Sequence, residues 1–343
     1  MGTRDRRRMK PPWPERRVLV TGATGIVGSW LCKDLLERGA YVTALVRDDD
    51  PQSDFFRSET AGQCSIVRGD LARFEDCARA INQSESAVVF HLGAQTLVGA
   101  ALRDPLETFE SNIRGTYNVL EAARRFASLV SAVVVASSDK AYGDAQGVPY
   151  REDMPLQGRH PYDVSKSCTD LLATTYAHTY GLPVAIARCG NIYGGGDLNW
   201  SRIVPGTIRS LLRGTRPVLR SSGRLVRDYI YVRDVVGAYV ALAEALDDPH
   251  LAGEAFNFSP ESRVTVLEIV ERIAALMKLP CDPVILDEVR FEIAEQTLSA
   301  AKARDTLGWA PAWTLDAGLL ETLDWYRRHL GLGAAPALSD AFR

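Results

Sequence analysis

The chain has 343 residues and a formal net charge of -3, with 46% hydrophobic and 24% charged residues. This is a globular composition, since intrinsic disorder needs lower hydrophobicity or a larger charge imbalance. The sequence holds no run of roughly 18 apolar residues that could span a membrane, and its near-neutral charge provides no field that attracts nucleic acid. It therefore predicts neither a membrane nor a nucleic-acid partner.

The six cysteines are scattered, without a CxxC pair or the Cys/His spacing of a zinc site. This distribution favours reduced thiols in a cytoplasmic protein and predicts no metal. The first residues are basic but include no apolar segment of a secretory signal, so residues 1–15 are interpreted as a disordered tail.

Strand and helix patterns alternate along the first half of the chain. Arg17–Val20 is a short apolar run that indicates a buried parallel strand. Further strands are predicted at 41–46, 65–67, 87–92, 130–136 and 183–187, and helices at 29–38, 106–125 and 169–180. Such alternation predicts an α/β fold, a Rossmann-type doubly wound parallel sheet with helices on both faces.

The pattern loosens after about residue 190, where short strands and helices mix. The clearest helices there are predicted at 264–277 and 315–329. We expect an NAD(P)-binding domain at 16–190, to which some later segments return. A smaller mixed α/β substrate lobe is expected at 191–330, followed by a tail at 331–343.

A glycine-rich turn follows the first strand directly and opens the first helix. The spacing Gly22-x-x-Gly25-x-x-Gly28 allows a tight turn and lets backbone N–H groups approach a pyrophosphate at the helix N-terminus. The sequence therefore predicts a dinucleotide site. Its residues in this turn are Gly22, Thr24, Gly25, Ile26, Val27 and Gly28.

The end of the second strand bears on the choice between NAD and NADP. An acidic residue there binds the ribose hydroxyls of NAD, but this chain has Arg47 followed by Asp48. Arg47 could hold the 2′-phosphate of NADP or stack on the adenine of NAD, so both cofactors stay open, with NAD preferred. Asp70 and Leu71 follow the third strand, in a loop that can hold the adenine.

Two groups of polar residues are predicted to carry chemistry. Tyr162 and Lys166 lie one helical turn apart, and an ammonium beside a phenol lowers the pKa of the phenol and makes it a usable base. Ser138, Asp139 and Lys140 follow the strand at 130–136, at the strand end where ligands bind in an open parallel sheet.

Taken together, these motifs resemble the extended short-chain dehydrogenase/reductases, specifically the nucleotide-sugar epimerase/dehydratase family. The resemblance extends from about Arg17 to Leu330. The matching motifs are Gly22-x-x-Gly25-x-x-Gly28, His91-Leu92-Gly93-Ala94-Gln95, Pro161-Tyr162-Asp163-Val164-Ser165-Lys166, Arg188-Cys189-Gly190-Asn191-Ile192-Tyr193-Gly194 and Arg227-Asp228-Tyr229-Ile230-Tyr231-Val232.

The segment from Ser137 to Gly143 separates branches of this family. Epimerases usually have only small hydroxyl residues there, and dTDP-glucose 4,6-dehydratases have Thr-Asp-Glu. The Asp139-Lys140 pair is similar to CDP-glucose 4,6-dehydratases, as is the run from Gly190 to Leu198. The position of the base then holds Lys140, so either Lys140 takes the C5 proton or another group does.

The resemblance implies a role for each residue. Ser138 would bind the sugar 4-hydroxyl, Tyr162 would remove its proton, and Lys166 would tune Tyr162 and hold the nicotinamide ribose. Asp139 would help the C6 hydroxyl leave as water. Leu92, Gly93 and Ala94 would line the cofactor site. The expected substrate contacts are Gln95, Ser138, Arg188, Asn191, Arg227 and Arg290.

The sequence is compatible with three functions. A nucleotide-sugar 4,6-dehydratase acting on CDP-glucose is favoured, and a 4-epimerase that uses the same Tyr/Ser/Lys set is the alternative. A non-catalytic NAD(P) sensor is the third, although a sensor needs no proton relay. The family resemblance also implies a homodimer formed through the stretches 106–125 and 165–180.

Overall fold

The computed structural model describes residues 13–145, 147–288 and 293–332. Within these ranges the strands alternate with helices, as the sequence pattern predicts. The strands are β1 Arg17–Thr21, β2 Tyr41–Val46, β3 Ser65–Arg68, β4 Val88–His91, β5 Ala132–Ala136, β6 Val184–Cys189, β7 Asn191–Tyr193, β8 Val218–Leu219, β9 Val226–Arg227, β10 Tyr229–Tyr231, β11 Ala255–Phe258, β12 Val264–Thr265, β13 Val284–Ile285 and β14 Glu295–Gln296.

The helices range from single turns to the long helix α8. They are α1 Ile26–Glu37, α2 Asp54–Arg57, α3 Thr60–Gln63, α4 Phe74–Ser84, α5 Val98–Arg103, α6 Pro105–Phe109, α7 Gly115–Arg125, α8 Pro161–Tyr180, α9 Ile203–Leu212, α10 Val232–Ala245, α11 Val266–Leu276, α12 Ala301–Leu307 and α13 Leu315–His329. A π-helical turn over Glu110–Arg114 joins α6 to α7.

Seven parallel strands form the main sheet in the order β11-β6-β5-β4-β1-β2-β3. The chain moves outward from β1 in one direction through β2 and β3, and then returns to the other side of β1 with β4. The strand order therefore reverses between β1 and β4, which is the crevice where doubly wound sheets bind dinucleotides. The predicted fold class is confirmed.

The sheet separates two hydrophobic layers because successive side chains of a strand point to opposite faces. Val18 and Val20 of β1 pack on the face that carries α1 and α10, whereas Leu19 between them packs on the face that carries α4 and α7. A third cluster, around Tyr229 and Ile269, forms the core of the C-terminal part. Helices thus cover both faces and leave the carboxyl ends of the strands for the site.

Several elements differ from the sequence prediction. The helix predicted at 106–125 is divided into α6, the π-helical turn and α7, and α4 and α10 had no predicted counterpart. Helix α8 begins at Pro161 rather than at residue 169, since proline favours the first position of a helix and its first two turns carry polar residues instead of an apolar stripe. Strand β11, which had no predicted counterpart, brings Ala255–Phe258 back to the edge of the main sheet beside β6. No helix among the described residues is long and apolar enough to cross a membrane.

Candidate active site

The glycine-rich turn packs so tightly that side chains would not fit at two of its positions. Gly22 has a φ of 73°, and a Cβ there would lie 2.7 Å from the backbone nitrogen of Gly93. A Cβ on Gly28 would lie 2.1 Å from the carbonyl oxygen of Gly22. Both glycines are therefore needed for α1 to begin directly against the end of β1.

The N-terminus of α1 has the features of an anion site. Gly25 occupies the N-cap position and provides no side chain to bond the first N–H groups of the helix. Gly25 is also exposed, and a Cβ there would contact only the Gly22 carbonyl oxygen, at 3.4 Å. The turn therefore fits a dinucleotide pyrophosphate, which such a helix end attracts.

The loop after β4, which carries Leu92, Gly93 and Ala94, begins against this turn. The hydroxyl of Thr21 accepts hydrogen bonds from the backbone N–H groups of Leu92, at 3.1 Å, and Gly93, at 3.0 Å. The Thr21 hydroxyl also bonds the ring of His91 at 2.9 Å, and the other ring nitrogen contacts Thr116. His91 thus ties β1, β4 and α7 together at the crevice.

The loop after β3 reaches the same crevice. The Leu71 side chain packs on Gly93, since a Cβ on Gly93 would lie 2.5 Å from Leu71 Cδ1. The carboxylate of Asp70 accepts the N–H of Ala72 at 2.9 Å and so shapes its own turn. Leu71 therefore lies against the loop that packs on the glycine turn, and Asp70 precedes it; adenine binding by this loop stays a prediction.

Arg47 and Asp48, at the end of β2, pair with each other. Arg47 Nε donates to Asp48 Oδ2 at 2.6 Å, and both side chains are exposed. The carboxylate partly neutralises the guanidinium and would repel a 2′-phosphate. The pair therefore favours NAD over NADP.

Ser138, Asp139 and Tyr162 form a cluster where β5 ends and α8 begins. The Ser138 hydroxyl donates to Asp139 Oδ1 at 3.0 Å and lies beside the Tyr162 phenol. Asp139 is buried at 3% exposure. The cluster joins a hydroxyl, a carboxyl and a phenol, as the motifs predict.

The predicted effect of Lys166 on Tyr162 stays a prediction, because burial dominates the pKa of Tyr162 in the chain alone. Burial raises the pKa of Tyr162 to about 12, and among the opposing influences the Arg202 charge is the largest, followed by the hydrogen bond with Ser138. Lys166 is instead turned toward the sheet, where Nζ donates to the Ala136 carbonyl oxygen at 2.7 Å. Desolvation lowers the pKa of Lys166 to about 8.

The Lys140 side chain contacts the C-terminal part of the chain. Its Nζ donates to the Oε1 atom of Gln296, a fully buried side chain on β14. Strand β14 runs beside β9, with Gln296 opposite Arg227. The amine thus sits between the end of β5 and the C-terminal part of the chain.

The expectation that Arg188 binds a substrate phosphate is not supported. Its guanidinium forms a buried ion pair with Asp170 at 2.7 Å and donates to the Tyr142 hydroxyl, also at 2.7 Å. The carboxylate of Asp170 also accepts the Ser137 hydroxyl. Because its guanidinium is buried and paired in this way, Arg188 links β6 to α8 and has a structural role.

The other predicted substrate contacts have different surroundings. Arg227 is buried and donates to the carbonyl oxygens of Val226 and Ile293, at 2.9 and 2.8 Å. The Asn191 amide nitrogen is buried without a hydrogen-bond partner among the described residues, which suits a ligand contact. Gln95 uses its amide to bond the backbone of Leu97, and Arg290 lies outside the described residues.

Two residues that the sequence did not indicate also belong to the site. Asn112, in the π-helical turn, accepts the Gln95 N–H at 2.7 Å and donates to Ser165 Oγ at 2.9 Å. Arg202 donates to Asp197 at 3.0 Å and to Thr96 at 3.1 Å, so it links loops from both parts of the chain beside Tyr162. A lone Asn or Arg carries no motif, which is why sequence reasoning missed both.

Comparison with known proteins defines the class. The model of the NAD dependent epimerase/dehydratase family matches residues 18–258, more than half of the chain. The chain belongs to this family, and the family predicted from the motifs is confirmed.

Individual relatives share almost the full length. The chain is 31% identical over 330 residues to the CDP-glucose 4,6-dehydratase of Salmonella typhimurium, covering 92% of this chain and 91% of the relative. Among solved structures, the dTDP-glucose 4,6-dehydratase of Streptomyces venezuelae, with NAD bound, superposes with a TM-score of 0.81 at 26% identity, covering 92% of this chain and 98% of that one. The UDP-glucose 4-epimerase of Thermotoga maritima, with UDP-glucose, gives a TM-score of 0.82 at 26% identity, covering 91% and 99%.

Proposed function

We propose that the protein is a nucleotide-sugar 4,6-dehydratase that acts on CDP-glucose. The observation that carries the proposal is that Ser138 and Asp139, at the end of β5, lie beside Tyr162 at the start of α8, with Lys140 next in the chain. An epimerase needs only the Ser, Tyr and Lys groups, whereas a dehydratase also needs an acid and a base for loss of water. The similarity to a CDP-glucose 4,6-dehydratase supports the cytidine nucleotide.

The crevice between β1 and β4 would hold NAD. The N-terminus of α1 would bind the pyrophosphate, the loop at Asp70 the adenine, and Lys166 the nicotinamide ribose. Bound there, NAD would supply the hydride chemistry, as the acceptor for the C4 hydride and the donor to C6.

The side chains of the chain move the protons. Tyr162 takes the proton of the 4-hydroxyl, which Ser138 holds by a hydrogen bond. The resulting C4 ketone acidifies the C5 hydrogen, and Lys140 removes that proton. Asp139 gives its proton to the C6 hydroxyl, which leaves as water, and Lys140 returns its proton to C5 when C6 receives the hydride. The product is a 4-keto-6-deoxy sugar, one water lighter than the substrate.

Asp139 provides the sharpest test of these roles. We expect Asp139→Asn to lose about a hundredfold in dehydration rate, because an amide cannot donate the proton that the leaving hydroxyl needs. Product formation is measured by mass spectrometry as loss of water from CDP-glucose. The exposed Asp153→Asn serves as the control. An Asp139→Asn variant with the full rate would remove Asp139 from its role as the acid.

A nucleotide-sugar 4-epimerase is the second candidate. It is supported by the structural likeness to a UDP-glucose 4-epimerase, and it would use the same Ser138, Tyr162 and Lys166. Incubation of the protein and NAD with CDP-glucose and with UDP-glucose distinguishes the two candidates. A C4 epimer without loss of water would favour the epimerase, and tight NAD binding without any conversion would favour a sensor.

A homodimer and a cytoplasmic location complete the proposal. The helices α5, α6, α7 and α8 pack on one another and expose large apolar side chains on their outer surface. Such a surface, left open to water, marks a protein contact. The six cysteines are free thiols, as in a reducing compartment.

A further inference from the structure

Gln296 has a buried side-chain amide whose oxygen and nitrogen atoms have different surroundings. Its Oε1 atom accepts the hydrogen bond from Lys140 Nζ, across 156 positions of the sequence. Its Nε2 atom is buried and has no hydrogen-bond partner among the described residues. A buried, unpaired N–H2 group costs about 1–3 kcal/mol, so packing alone does not account for a glutamine here.

The position of Gln296 links it to the reaction rather than to the core. It lies on β14, opposite Arg227 of β9, and contacts Lys140, which follows directly after Ser138 and Asp139. The residues with the predicted proton-transfer roles and the candidate phosphate-binding arginine therefore flank it on two sides.

The chemistry of an amide suits a neighbour that acts as a base. An amide oxygen accepts a hydrogen bond from an ammonium and from a neutral amine, so it can orient Lys140 in both protonation states. A carboxylate at the same place would favour the ammonium and prevent Lys140 from taking a proton. A hydrocarbon would leave the long Lys140 side chain without an anchor.

We propose that Gln296 is a positioning residue, which orients Lys140 toward the sugar C5 and donates through Nε2 to an oxygen of the bound nucleotide sugar. This inference rests on the proposed dehydratase function. A loss of Gln296 should affect the two half-reactions differently. Oxidation at C4 depends on Tyr162, whereas loss of water depends on Lys140.

Two variants with a matched control test the inference. Gln296→Leu removes both hydrogen-bonding ends, and Gln296→Glu keeps an acceptor oxygen but adds a charge. Glu295→Gln is the control, since Glu295 precedes Gln296 on the same strand and pairs with Arg263 at 2.8 Å. Circular dichroism melting establishes that each variant is folded.

The half-reactions are followed separately with CDP-glucose. Reduced cofactor absorbance reports C4 oxidation, and mass spectrometry reports loss of water. For Gln296→Leu we expect oxidation within about twofold of wild type and water loss reduced by about tenfold or more, so that reduced cofactor accumulates. The KM should rise as well, since one substrate contact is lost. For Gln296→Glu, water loss should need a higher pH than in wild type.

Other results would overturn the inference. If both half-reactions fall by the same factor, or if neither changes, Gln296 only packs. If Gln296→Leu does not fold, Gln296→Glu decides by its pH profile, and an unshifted profile contradicts the proposal. If wild type oxidises no nucleotide sugar at all, the proposed function fails and this inference fails with it.

Discussion

Burial, more than neighbouring charge, sets the protonation of single residues at this site. Tyr162 and Lys166 both shift toward their neutral forms, because a desolvated charge is costly. Their predicted pairing as phenolate and ammonium is therefore not a property of the chain alone. The cationic ring of bound NAD would supply a charge that favours the phenolate of Tyr162.

The buried side chain of His91 makes the free energy of unfolding depend on pH. Burial lowers its pKa from 6.5 to about 3, so the folded chain binds fewer protons than the unfolded chain between those pH values. The stability that neutral His91 supports is complete above pH 6.5 and is lost as the pH falls toward 3. At pH 5 the loss amounts to roughly 2 kcal/mol.

The His91→Gln variant should remove this dependence. Equilibrium urea unfolding at pH 7.5 and pH 5 would show a smaller loss of unfolding free energy for the variant than for wild type. His178→Gln, an exposed histidine on α8, is the control and should behave as wild type does. An equal loss in wild type and His91→Gln would contradict the assignment.

At the scale of elements, the π-helical turn between α6 and α7 connects the cofactor loop to the catalytic helix. Its Asn112 donates to the carbonyl oxygen of Gln95 at 2.9 Å and to Ser165 on α8. The turn thereby fixes the loop after β4 relative to the helix that carries Tyr162.

Replacing this amide should weaken both stability and catalysis. We expect Asn112→Ala to lose about 2–3 kcal/mol of unfolding free energy, since buried polar partners are left unpaired. The rate should fall by about tenfold or more as Tyr162 is misplaced. Thermal melting and the CDP-glucose assay measure the two effects. Unchanged melting would show that the amide does not hold the two elements together.

The bounds of individual strands and helices show how far the sequence pattern predicts the fold. β2 and α13 lie at their predicted bounds, because each is a periodic apolar segment with clear ends. The start of α8 was missed because its first turns carry site residues. Gln296 was missed for another reason: its partner Lys140 is 156 positions away, and a single amide has no spacing to recognise.

On the scale of the whole molecule, the described residues leave a helical surface on α5, α6 and α8 exposed. Leu102 on α5 is 58% exposed, Leu106 on α6 is 68% exposed, and Leu171 on α8 is 59% exposed. A monomer would hold these side chains in water, whereas a second copy could bury them.

This surface gives a prediction about oligomeric state. Leu171→Glu should convert a dimer into a monomer, because a charged side chain would be buried at the contact. Light scattering coupled to size-exclusion chromatography measures the mass. Val218→Glu, an exposed valine in the C-terminal part, is the control and should stay dimeric. A wild-type monomer would contradict the proposed assembly.

The proposed reaction moves hydrogen from the sugar C4 to C6 as water is lost. It is tested most directly with CDP-glucose that carries deuterium at C4, followed by mass spectrometry and NMR of the product. We predict a 4-keto-6-deoxy sugar nucleotide with the deuterium at C6. Deuterium retained at C4 of an intact hexose, or a product from which the label is lost, would contradict the proposed transfer from C4 to C6.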